Sequence, residues 1–211
     1  VFDGVSLSGY SGKTVFVAKL DSGWNTLWCS AGGGTGDDVS KAIVLGADQR
    51  VYLTGFHVSD AVFGGTTLPS GGSTGIFTAA LDASGNWLWA SSLGASASAN
   101  QGSAILLSAQ GDIIVTGKFI GSLSGSADNP VSDGSLSDIF IAKLSPSGQI
   151  QWAVRAGGAG TDGGNSLALR PGGGYYVYGS LNPGASFGNL DTDCRANDLF
   201  LALLTDDAGV A

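Results

Sequence analysis

The chain repeats itself every 60 to 63 residues, and this periodicity restricts its folds more than any other feature. The first copy reads Phe16-Val17-Ala18-Lys19-Leu20, then Asp21-Ser22-Gly23, then Leu27-Trp28. The second reads Phe77-Thr78-Ala79-Ala80-Leu81, Ser84-Gly85-Asn86 and Leu88-Trp89. The third reads Phe140-Ile141-Ala142-Lys143-Leu144, Ser147-Gly148 and Gln151-Trp152, and a fourth begins at Phe200-Leu201-Ala202-Leu203-Leu204. A fixed period of this length means one supersecondary unit, stacked on copies of itself.

Each unit reads as strands. In the first copy Phe16, Ala18 and Leu20 alternate with Val17 and Lys19, the period of a strand. Asp21-Ser22-Gly23 is turn chemistry, so a hairpin to Thr26–Ser30 follows. A glycine-rich loop, Ala31 to Asp38, leads to a third strand at Ala42–Leu45 and a fourth at Val51–Gly55. The fourth strand recurs as Ile113–Gly117 and Tyr175–Gly179, with its glycines 62 residues apart each time. Variable segments then close on Phe63-Gly64, Leu123 and Phe187-Gly188; Phe2-Asp3-Gly4 matches that closure. Four antiparallel strands per unit point to an all-β, β-propeller-type array of four-stranded blades, with the Phe-Ala-Leu stripe and the Trp buried between blades. The repeats run approximately 14–75, 76–137 and 138–197, with a partial copy at 198–211, in one repeat domain. A β-helix is the main rival, but its coils are shorter.

Composition agrees. Gly makes up 36 of 211 residues and falls between apolar runs, as turns do. Hydrophobic residues are 43%, enough for a sizeable core, and Glu and Met, two good helix formers, are absent. The net charge of −8, with every acid an Asp, argues against nucleic acid, which needs a basic surface. No apolar run reaches the roughly 18 residues of a membrane-spanning helix, and no signal peptide is visible. The chain starts at Val1, without an initiator Met, as a processed or excised piece of something longer does. Cys29 and Cys194 are either one bridge or two free thiols.

The pattern Phe-x-Ala-x-Leu, Ser-Gly, x-Trp, a Gly-Gly-x-Gly-x-Asp loop, then a strand ending in Thr-Gly or Tyr-Gly resembles the bacterial beta-propeller (SBBP-type) repeat. Gly33-Gly34-Thr35-Gly36-Asp37-Asp38 and Gly157-Gly158-Ala159-Gly160-Thr161-Asp162 carry the loop. The middle copy departs from it, with Asn100 in place of Asp. The resemblance implies a secreted, periplasmic or cell-surface bacterial protein and no particular reaction. Propellers have about 4 to 8 blades, so more chain, a second subunit or a protein partner is expected to complete the array.

No catalytic constellation accompanies the repeats. His57 is the only histidine and is expected on a loop after the fourth strand, with no Gly-x-Ser-x-Gly elbow. Asp37-Asp38 and Asp191/Asp193 are the acid pairs that a glycosidase would need, but turn capping explains such aspartates. Calcium is the one cofactor considered: Asp37, Asp38 and Asp162 recur on the glycine loops, and Asp191, Asp193 and Asp198 lie in an oxygen-rich stretch. That stretch contains Arg195 and lacks an EF-hand's Gly and distal Glu. Trp24 and Trp87 fall outside the register of Trp28, Trp89 and Trp152, so they are candidate anchors for a protein or glycan. The resulting expectation is a non-catalytic binding or scaffold module. The alternatives are a propeller lectin and a scaffold portion of a larger secreted enzyme.

Overall fold

The computed structural model describes residues 11–71, 73–94, 99–126, 129–188, 190–195 and 198–205, with Leu190 and Asp191 described as backbone. Phe2-Asp3-Gly4 and the end of the partial fourth copy lie outside the described residues. The first copy supplies β1 (Val15–Leu20), β2 (Thr26–Gly34), β3 (Val39–Leu45), β4 (Val51–Val58) and a short hairpin, β5 (Ala61–Phe63) and β6 (Thr66–Leu68). The second supplies β7 (Thr74–Leu81), β8 (Trp87–Leu93), β9 (Gln101–Leu107) and β10 (Ile113–Phe119). The third supplies β11 (Asp138–Leu144), β12 (Ile150–Gly157), β13 (Gly163–Leu169), β14 (Tyr175–Leu181), β15 (Ser186–Phe187) and β16 (Leu190–Asp191). The fourth begins with β17 (Asp198–Leu204). The chain is all-β, with no helix among the described residues.

The strands form four antiparallel sheets, and these do not coincide with the sequence units. One sheet runs β3-β4-β7-β8, so it joins the third and fourth strands of one copy to the first two of the next. Another runs β9-β10-β11-β12 and carries β15 and β16 beyond β12. A third is β13-β14-β17, and the remaining one is β1-β2-β5-β6. The offset has a physical origin. The glycine loop after the Trp strand carries the chain out of its sheet, whereas the excursion after the fourth strand returns to pair with it. Gly55, Gly117 and Gly179 serve the fourth strand's other pairing, with the third strand of its own copy: a β-carbon there would strike the carbonyl of Val39, Gln101 or Gly163 on that strand.

The β3-β4-β7-β8 sheet and the β9-β10-β11-β12 sheet each have two apolar faces, and each face meets a neighbouring sheet. Phe77, Ala79 and Leu81 face back onto Val15 and Val17 of β1, together with Phe63 and Leu68. The other face of that sheet, with Tyr52, Ile76 and Ala80, meets Phe140, Ala142 and Leu144. Beyond it, Ile114, Ile139 and Ile141 meet Tyr175, Val177 and Leu204. The Phe-Ala-Leu stripe is therefore buried in the second and third copies. It is not buried in the first, where Phe16 is 50% exposed, because among the described residues only β1 and β2 stand in that sheet before the short hairpin.

The in-register tryptophans link successive copies. Trp28 donates from Nε1 to the Ala83 carbonyl at 2.9 Å, and Trp89 donates to the Pro146 carbonyl at 3.1 Å. The rings lie against Gly85 and Gly148, the left-handed residues of the next hairpin turn, where a side chain would collide with the indole. Ser30 and Ser91 donate to the Gly85 and Gly148 carbonyls. Only Trp152 is fully buried; Trp28 and Trp89 are half-buried, since the hairpin turn covers one side of each ring.

Candidate functional site

Three of the acidic-loop positions form one repeated structural device. Asp38 accepts from the Gly34 N–H at 2.6 Å through Oδ2 and from the Val58 N–H at 3.2 Å through Oδ1. Asp162 does the same with Gly158 at 2.9 Å and Asn182 at 2.7 Å. Asn100 accepts from the Ile120 N–H at 2.7 Å. Val58, Ile120 and Asn182 are 62 residues apart, so one side chain per copy ties the glycine loop to the end of the fourth strand. The backbone N–H of Asp38 donates to Lys13 O and that of Asp162 to Ser137 O, while Asn100 reaches the equivalent Thr74 O through Nδ2 at 2.9 Å. All three side chains are buried. Burial holds the Asp38 carboxyl above its ordinary range, against the lowering effect of its two N–H donors. Asp37, one residue earlier, points outward and pairs with Lys13 at 2.7 Å, which holds its carboxyl below the usual range. The adjacent pair Asp37-Asp38 thus does not share a site.

The donors around Asp38 and Asp162 are backbone N–H groups, which suit an anion and oppose a cation. Among the described residues no three His, Cys or Asp side chains converge as a metal set would. Asp198 accepts from the Arg195 N–H at 2.7 Å, and Asp193 is exposed. The side chain of Asp191 lies outside the described residues.

The first hairpin turn differs from its copies at one position. Asp21 accepts from the Gly23 and Asn25 N–H groups at 2.8 and 2.9 Å, and the Asn25 side-chain amide holds its carboxyl below the usual range. Asp82 repeats this with Ser84 and Asn86, and Ser145 does so more weakly with Gln149. Gly85 and Gly148 occupy the next-to-last turn position, both at φ 84°, and Trp24 occupies it in the first turn at φ 65°. A bulky residue in the left-handed region is a strained choice. Trp24 is 82% exposed, so packing does not explain it. Trp87 is different. It is half-buried, its Nε1 donates to Ala31 O at 2.9 Å, and its ring meets Phe63 edge-on at 5.0 Å. Trp87 joins two sheets and is not displayed to solvent as an anchor would be.

His57 lies on β4, not on a loop, and is fully buried. The strand continues past Gly55 because β4 pairs with β7 as far as Val58 and Thr74. His57 Nδ1 is 2.9 Å from the Ser59 carbonyl and Nε2 is 3.3 Å from Ser92 Oγ. Phe119 and Leu181 hold the equivalent place in the other copies, which marks it as a core position. In the following sheet Asp138 and Arg155 stand where Gly75 and Ser92 stand here. Asp138 Oδ2 accepts from Arg155 Nε and from the Asp133 N–H at 2.7 Å, while its buried Oδ1 has no hydrogen-bond partner. Burial is the main cause that raises the Asp138 carboxyl, and the nearby Asp162 charge adds to it. No sequence signal marks this pair, because Asp138 opens a strand and Arg155 lies 17 residues on.

Both cysteines are free thiols. Cys194 Sγ donates to the Asn182 carbonyl at 2.8 Å.

Two concave sites flank the repeated tryptophans. One, of about 230 Å³, lies beside β1 and is lined by Val17, Trp28, Ile43, Leu45 and Val51. The other, of about 360 Å³, is lined by Arg50, Leu88, Trp89, Pro146 and Ser147. No helix among the described residues is long and apolar enough to cross a membrane.

No family model matches the chain. Over 181 residues it is 34% identical to the regulatory protein FlaEY of Caulobacter vibrioides, an alignment that covers 82% of this chain and 19% of that protein. The chain therefore spans about a fifth of the length of the curated relative it matches.

Proposed function

We propose that this chain is a β-propeller-type repeat module of a bacterial secreted or cell-surface protein, and that it binds or scaffolds rather than catalyses. The observation that carries the reading is the use made of the repeated polar residues. Asp38, Asn100 and Asp162 serve backbone clamps in equivalent places, and Trp28 and Trp89 serve the links between copies. The residues that recur are thus committed to architecture. What remains for recognition is the excursions near 57–75, 118–137 and 180–197, which differ from copy to copy and suit a single protein partner or a neighbouring subunit. The stacking of sheets through alternate faces supports the propeller-type arrangement. A longer parent polypeptide fits the relative, a regulatory protein of which the alignment covers 19%, and a binding module could serve such a role; such a parent could also be an enzyme with its reacting groups elsewhere.

A sugar-binding reading is favoured by one observation, the paired clefts beside Trp28 and Trp89. Their other linings differ, however, whereas a lectin repeats its polar contacts.

Two measurements test the proposal. Antibody to the chain and external protease, applied to intact producing cells, should find it outside the cytoplasm. A glycan array probed with the folded protein should stay blank. Confinement to the cytoplasm would remove the extracellular reading, and glycan binding abolished by Trp28→Ala or Trp89→Ala would replace it with the lectin.

A further inference from the structure

We propose that Asp138 and Asp162 form a proton-sharing carboxyl pair, a pH-sensitive latch that fastens the second and third variable excursions to each other. The role given to the excursions rests on the binding-module reading; the latch itself does not. Both side chains are buried, Asp138 at 0% and Asp162 at 1% exposure. They meet at Gly157, where a β-carbon would lie 2.7 Å from Asp138 Oδ1 and 2.8 Å from Asp162 Oδ2. The two oxygens therefore face one small space, and Asp138 Oδ1 has no hydrogen-bond partner in it. Two carboxylates this near, away from water, resist ionising together, because each charge raises the cost of the other. One proton, taken from solvent onto Asp138 Oδ1, removes the repulsion and gives the orphaned oxygen an O–H to donate toward Asp162.

The repeats supply a comparison. Positions 124 residues apart are equivalent in the first and third copies, so Gly33 and Asp38 match Gly157 and Asp162, but Thr14 stands where Asp138 does. At Gly33 the three atoms nearest an added β-carbon all belong to Asp38. In the second copy the two acidic places hold Gly75 and Asn100. Only the third of these copies brings two acids together. Arg155 on β12 does not neutralise both. Its Nε donates to Asp138 Oδ2, while Nη2 donates to the Gly157 carbonyl at 3.3 Å and lies 3.9 Å from Asp133 Oδ2. On β10, Lys118 is paired through its backbone with Ile139, and its stem approaches Gly163. Asp138 Oδ1 is left facing Asp162. Each member of the pair also anchors an excursion. Asp138 accepts from the Asp133 N–H at 2.7 Å, near the end of the second, and Asp162 accepts from the Asn182 N–H at 2.7 Å, near the start of the third. Burial foremost, with the Asp162 charge adding to it, raises the Asp138 carboxyl above 3.8. Proton uptake thus favours the closed cluster: its stabilisation is present at low pH and is lost as pH rises through the folded value.

The test is carboxyl-carbon NMR on the whole chain, following each aspartate through a pH titration. Asp162→Asn, a side chain that the second copy already carries at Asn100, should lower the Asp138 midpoint and leave the Asp38 midpoint where it is. Hydrogen exchange gives a readout on the unaltered protein. After correction for the intrinsic pH dependence of exchange, opening at the Asp133 and Asn182 N–H groups should become rarer as pH falls through the Asp138 midpoint. In Asp138→Asn that response should disappear at Asn182, a group that Asp138 does not touch. An Asp138 midpoint unmoved by Asp162→Asn, or an Asn182 N–H whose protection ignores the titration, would overturn the latch. So would an Asp138 midpoint that falls when calcium is added, since a cation would then hold the proton's place. None of these results bears on the binding-module reading, which location and glycan binding test separately.

Discussion

Asp38→Ala removes a single buried side chain and exposes how the glycine loop is held. Asp38 is buried and accepts from two backbone N–H groups, Gly34 at 2.6 Å and Val58 at 3.2 Å. With the carboxylate gone, the Gly34 N–H loses its acceptor, while the Val58 N–H keeps only the Asp37 carbonyl at 3.2 Å. A buried donor left unmade costs about 1–3 kcal/mol and the lost bond to Val58 about 1, so the variant should lose about 2–4 kcal/mol. In a chain of this size that lowers Tm by about 4–16 °C. Asp38→Asn is the informative control, since Asn100 fills the same position in the second copy. The amide oxygen still accepts from Val58, and the charge whose burial raises the carboxyl is removed. Its cost should stay below about 1.5 kcal/mol at neutral pH. Urea melts followed by circular dichroism measure both. The clamp reading is refuted if Asp38→Ala lies within experimental error of the wild type, or if Asp38→Asn is as damaging as Asp38→Ala.

Phe77→Ala should cost about 3–5 kcal/mol in the same melts, whereas Phe16→Ala, at the half-exposed copy of the position, should cost about 1 kcal/mol or less. Asp138 gives a pH signature. Its folded carboxyl titrates above its ordinary value of 3.8, so its contribution to stability is greatest at low pH and falls as pH rises through the folded value. Asp138→Asn escapes that loss; the variant's stability relative to wild type should climb from pH 4 toward neutrality, and a flat difference would argue against it. Excess chelator should leave the melt of the purified protein unchanged, because the loop aspartates face N–H donors; a lowered Tm would reinstate calcium.

The sequence by itself determined the strands and their turns. Alternation in Phe16–Leu20 and its copies, and Asp-Ser-Gly chemistry at the hairpins, are local signals with local causes, and the strands lie close to where they were expected. Cross-repeat pairing is not local. β4 joins β7 rather than β3 alone because the chain's long excursion returns to that edge, and no residue of either strand announces its partner. The same limit explains Asp38 and Asp162. They read as aspartates on a loop, and only the folded chain brings the Val58 and Asn182 N–H groups to them from 20 residues away. His57 looks like a loop histidine until β7 pairs past Gly55 and buries it. Trp24 and Trp87 both fall outside the register of the repeated tryptophans, yet Trp24, in a hairpin turn, is displayed, while Trp87, on β8, packs on Phe63 because another sheet stands opposite it. Periodicity and turn chemistry are written residue by residue, whereas burial and partnership depend on residues distant in the chain, so only the tertiary structure decided them.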